Sequence, residues 1–235
     1  VNEALPLLEE YLSNPESALH ASSVLSITAA YESLGMNDRA LEVIKNSLEK
    51  NNNSGKSLQI IKFKLATLYL LEGFYIDAIK TIERINSNKK RVLDLKNLIT
   101  SKALLKLNKF KDSELSLRDV EIEPNKRTAQ LHLAIELLRI EINYNLNNVE
   151  NVLNVINSAI ETAPKDCDTS PLFDKLLLLT NKFSEQIDSN LQDWIKSDNE
   201  SLSRKSLYYF IKKNQSKQQL KSIDSLRILS TGDDD

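Results

Sequence analysis

The chain has a single cysteine, Cys167, among 235 residues. No internal disulfide can form, which fits a reducing compartment. Glycine (4) and proline (5) are scarce. A β-rich fold needs frequent turn residues, so the scarcity argues for helices joined by short polar loops. So few glycines cannot build a phosphate-cradling loop either. The two histidines, His20 and His132, are far apart and sit in no metal-ligand spacing. Charges nearly cancel, to a net of −2, so the molecule as a whole lacks the basic field that recruits nucleic acid. No apolar run approaches the roughly 18 residues that span a membrane, and the longest, Leu207 to Ile211, is a short piece of a helix. The first residues do not read as a signal peptide, and the expected location is the cytoplasm, with the nucleus as an alternative. The chain opens on Val1 with residues that already read as mid-helix, which points to a segment of a longer protein.

The catalytic inventory is equally thin. Cys167 stands in Lys165-Asp166-Cys167-Asp168, where neighbouring carboxylates disfavour a thiolate. The many Asp and Glu residues read as solvated helix faces. Three Asn-x-Ser triplets, at Asn52, Asn199 and Asn214, are best read as chance in an Asn-rich chain. No catalytic residue, cofactor, metal or small-molecule substrate is expected.

What is present is an aliphatic-rich apolar complement, 41% of the chain, in a repeating pattern. Tyr31, Gly35, Ala40 and Ile44 recur at the same spacing as Tyr69, Gly73, Ala78 and Ile82. Fainter copies flank this pair. Ala4, Leu8 and Pro15 come first; Asn108, Phe110, Ser113, Leu117 and Pro124 follow, then Val152, Ile156, Ala159 and Pro164. Anchor positions 4, 40, 78, 113 and 152 are spaced 36, 38, 35 and 39 residues apart. This resembles the tetratricopeptide repeat, whose period is about 34. The resemblance covers roughly residues 1–165. It implies an all-α right-handed superhelix, an α-solenoid of antiparallel helix pairs. The small anchor lets helices A and B approach closely, the Tyr covers the joint, and the apolar residue one turn on faces the same seam. The family's signature Trp is absent: Val24 and Lys62 occupy its place, and Lys62 is expected to keep its charge in water.

Members of this family usually hold partners on the wall lined by helix A. Carried onto this chain, that wall is Ser22, Leu25, Ala29 and Glu32, then Ile60, Phe63, Thr67 and Leu70, then Leu95, Leu98, Lys102 and Leu105. Leu25 and Ala29 stand where the subfamily that grips chaperone tails has Lys and Asn, so that clamp is not expected. The remaining apolar groove suits an amphipathic helix or an extended apolar segment of another protein.

Residues 166–200 read as a capping helix region. Phe173, Leu176, Leu177, Phe183, Ile187, Leu191 and Trp194 recur there at helical spacing. Residues 201–235 read as a basic amphipathic helix, about Arg204 to Leu229, with an acidic disordered end. Arg204, Lys205, Lys212, Lys213, Lys217, Lys221 and Arg227 are interleaved with Leu207, Tyr208, Tyr209, Phe210 and Ile211. Two functions follow. One is a non-catalytic scaffold subunit holding a partner in the apolar groove. The other is a ribonucleoprotein or membrane-associated factor touching RNA or anionic lipid through this helix.

Overall fold

A computed structural model describes residues 6, 10, 21–50, 55–125, 127–164, 167–179, 184–196, 203 and 205–215. All regular structure among them is helical. Ala4, Leu8 and Pro15, the expected first anchor group, lie outside the described residues. So does the expected C-terminal helix beyond residue 215, with Lys217, Lys221 and Arg227.

The chain divides into two compact units, Val1–Glu121 and Ile122–Asp235. The division falls within the 1–165 span of the repeat resemblance. In the first unit, α1 (Ala21–Ser33), α2 (Asn37–Lys50), α3 (Lys56–Leu71), α4 (Tyr75–Glu83), α5 (Lys90–Lys106) and α6 (Phe110–Leu117) form three successive pairs. The members of each pair pack on one another, and α3 also packs against α1, α2 and α5. In the second unit, α7 (Ala129–Asn145) packs on α8 (Val149–Thr162), α9 (Ser170–Leu179) packs on α7, and α10 (Ser184–Ile195) packs on α8. Residues 205–215 form a further helix, α11.

Each pair is joined by the same turn. The residue five before each anchor has a positive φ: Gly35 (71°), Gly73 (79°), Asn108 (59°) and Asn147 (59°). Glycine adopts this region without a Cβ penalty, and asparagine is the usual substitute. Two backbone bonds close each turn. The N–H groups of Met36, Phe74, Lys109 and Asn148 donate to the carbonyls of Tyr31, Tyr69, Leu104 and Asn143, at 2.8–2.9 Å. The N–H groups of the four positive-φ residues donate to carbonyls three residues back. This pattern satisfies carbonyls that a helix end would leave bare. The accompanying apolar contact is visible where Phe74 meets Tyr69 edge-on, with centroids 6.1 Å apart. At the last turn, Asn148 also caps α8, accepting from the Asn151 N–H at 3.2 Å.

The anchors Ala40, Ala78, Ser113 and Val152 are all buried, and so are the residues one and two turns on: Ile44, Ile82, Leu117 and Ile156, then Ser47, Ile85, Val120 and Ala159. Twelve residues before each anchor stand Thr28, Ala66, Ser101 and Ile140, each fully buried. Three of these four are small, as the close approach of two helices demands. In the third pair the hydroxyls solve the problem of burying polar groups. Ser113 Oγ donates to the Ser101 carbonyl at 2.8 Å, and Ser101 Oγ donates to the Ser113 carbonyl at 3.0 Å.

The core of the second unit is larger in its side chains. Phe173 stacks on Tyr209 at 5.1 Å and meets Trp194 edge-on at 6.0 Å. Leu172, Leu176, Ile187 and Leu191 join them. The helical spacing expected at residues 173–194 therefore becomes two helices, α9 and α10. Phe183 and the side chain of Leu177 lie outside the described residues.

Candidate partner-binding face

The helix A wall falls on α1, α3 and α5, which pack side by side in the first unit. On α1, Ser22 and Ala29 are exposed, while Leu25 and Glu32 are half-buried. On α3 the pattern repeats: Ile60 and Thr67 are exposed, while Phe63 and Leu70 are half-buried. Ile60 is the most open of the large apolar side chains in the set, at 51%. Phe63 and Leu70 also pack against the Ala66, Ala78, Ile82 and Ile85 core. Phe63 therefore serves the fold as well as the surface.

The third stretch of wall corrects the expectation. Leu95 and Lys102 are half-buried, but Leu98 and Leu105 are core residues, at 6% and 5% exposure. The reason is the setting of α5, which packs against α3, α4 and α6 together. Its buried side extends over Asp94, Leu98, Ile99, Ser101, Ala103 and Leu105, too broad to leave a free apolar stripe. The accessible apolar face thus rests on Leu25, Ile60, Phe63, Leu70 and Leu95.

Charge on this face is organised by ion pairs and caps. Glu32 pairs with Lys64, which ties α1 to α3. Lys62 donates from Nζ to the exposed Arg84 carbonyl at 3.2 Å. Lys96 donates to the Ile85 carbonyl at 2.7 Å, and Gln59 to that of Asn86 at 3.2 Å. Helix α4 is short, and these donors from α3 and α5 satisfy carbonyls just past its C-terminus, where cations are favoured. Around the second turn, Leu71, Phe74 and Ile76 are also exposed, which the repeat register does not single out. The Asn37 side chain donates to Glu72 at 2.6 Å and so joins this turn to the first, where Met36 is exposed.

The basic C-terminal segment proves to be anchored. Lys213, expected among the bases that touch a polyanion, is buried at 4% exposure and pairs with Asp188 of α10. Lys205 donates to Thr169 Oγ1 at 2.7 Å and lies 3.9 Å from Asp168. Lys212 is exposed and sits over the Tyr208 and Tyr209 rings at 5.9 and 5.5 Å. The Tyr209 hydroxyl donates to Asp174 at 2.8 Å; burial, with that bond, pushes its pKa up to about 12. Arg204, Lys217 and Lys221 lie outside the described residues. No local pattern signals this docking, because Asp188 lies 25 residues away from Lys213.

Elsewhere, His132 and Arg139 approach the buried Glu136, at 4.0 and 2.8 Å. Burial holds the Glu136 carboxyl above its ordinary range, against the pull of Arg139 and His132. Among the described residues no helix is long and apolar enough to cross a membrane, and no three His, Cys, Asp or Glu side chains converge. Compared with known proteins, the chain matches no family model, no curated protein and no solved structure.

Proposed function

We propose that the chain is a non-catalytic scaffold that holds a segment of another protein on the face shared by α1, α3 and α5. The reading includes the finer architecture: antiparallel pairs of tetratricopeptide type, stacked into a right-handed superhelix within the first unit. The observation that carries it is the exposed or half-buried apolar series Leu25, Ile60, Phe63, Leu70 and Leu95 on helices whose opposite sides form the core. Apolar side chains left accessible on one set of helices in this way usually mark an interaction site. The polyanion reading of the C-terminal helix is less favoured, since Lys205 and Lys213 are engaged inside the second unit.

Affinity purification tests it by comparing the wild-type chain with Ile60→Ser. The replacement removes an exposed side chain and should leave the melting temperature within a few degrees, since surface changes cost about 0.5 kcal/mol or less. Proteins retained by the wild type and lost from Ile60→Ser, at equal folding by circular dichroism, are the expected result. An identical set on both baits would remove the face from consideration.

A further inference from the structure

We infer that the occupant of this face is an acidic amphipathic helix. The inference rests on the proposed binding face and adds the chemistry of what it takes.

The two sets of helices in the first unit differ in charge. Helices α1, α3 and α5 carry eight basic and two acidic side chains; α2, α4 and α6 carry five basic and seven acidic. The whole chain is at −2, so the positive balance of the first set is a local property. Both acids of that set are engaged: Glu32 by Lys64, and Asp94 by Lys90 at 3.8 Å. Lys62, Lys90 and Lys96 also donate to backbone carbonyls. On the wall stripes themselves stand Lys56 and Arg91, both exposed, and Lys102, half-buried. Lys56 is one turn before Ile60, Arg91 one turn before Leu95, and Lys102 two turns after Leu95.

The face therefore combines apolar side chains at helical spacing with a cationic border and neutralised acids. Its complement has apolar residues at i, i+3, i+4 and i+7 flanked by Asp and Glu. A second copy pairing through this same face would bring like charges together. RNA would meet the cations but has no use for Ile60 and Leu70 beside them. A lipid surface asks for side chains that project, whereas Leu25, Phe63, Leu70 and Leu95 are half-buried between helices.

The test uses the full chain and a labelled helical peptide of about 18 residues, about five turns, with Leu at the apolar positions and Glu elsewhere. A second peptide carries Lys in place of every Glu. Anisotropy at about 50 mM salt should show the Glu peptide binding at least about tenfold tighter, a preference that fades at high salt. The triple variant Lys56→Glu, Arg91→Glu, Lys102→Glu should reverse that preference at unchanged circular dichroism, whereas the charge-matched variant Lys80→Glu, Lys109→Glu, Lys111→Glu, at exposed positions off the face, should not. Equal binding of both peptides, weakened alike by Ile60→Ser, would overturn the acidic partner and leave the apolar face standing. No binding of either peptide would count against the face as well.

Discussion

The register of the repeats is written in single residues, and the turn positions show how. Gly35 has a φ of 71°, and a Cβ built there would meet nothing within 4 Å. Gly35→Ala therefore isolates the backbone cost of the left-handed conformation, about 1–2 kcal/mol. Asn108 occupies the same conformation in the third pair, so Asn108→Gly should stabilise, by a few tenths to about 1 kcal/mol. Opposite signs in chemical denaturation confirm the equivalence of the two turns; a loss of stability in Asn108→Gly would break it. Ala40, Ala78 and Ser113 are legible as anchors because their spacing from Gly35, Gly73 and Asn108 is constant, and Val152 is legible from Ile156, Ala159 and Pro164 in step behind it. Asn147 does not stand out as a turn residue, since asparagine is common throughout this stretch.

Glu136 offers a second test at this scale. Its carboxyl is held above the ordinary value of 4.5 by burial, so the folded state takes up a proton more readily than the unfolded chain. Linkage then makes stability rise as the pH falls from the raised folded value towards 4.5, the reverse of a salt-bridged carboxylate. Glu136→Gln keeps an acceptor for Arg139 and removes the buried charge. It should melt higher than wild type at neutral pH, by a margin that narrows on acidification. A variant less stable than wild type at neutral pH would show that the Arg139 pair outweighs the burial cost.

At the scale of elements, helix identity and pairing are legible in the sequence while docking between distant segments is not. Periodicity locates α1 to α4 from the Tyr, Gly and Ala pattern alone. It cannot tell how many neighbours α5 has, so Leu98 and Leu105 read as wall when they are core. The same limit hides the attachment of α11. Its Tyr209 enters the core of the second unit, and Lys213 finds Asp188 across a long sequence separation. Lys213→Ala should thus destabilise the second unit on the order of 3 kcal/mol, because it empties a buried site and takes a close cation from a partly buried carboxylate. Lys212→Ala, at an exposed position, should cost far less. Equal effects of the two in thermal melts would mean that α11 is not anchored through Lys213.

At the scale of the molecule, length and composition already point to helices, and all regular structure among the described residues of both units is helical. Composition cannot reveal that the first unit separates its charges by helix set, because the totals nearly cancel. Function is legible only through that surface, and so the central claim is where a partner sits. A photo-crosslinking amino acid placed at Ile60 reports contacts on the α1, α3 and α5 face. The same group at Leu115, equally exposed on α6, reports contacts elsewhere. With the full chain in the cell, the account predicts a discrete crosslinked adduct from position 60 and none of that mass from position 115. An adduct from position 115 alone, or the same adduct from both, would contradict it.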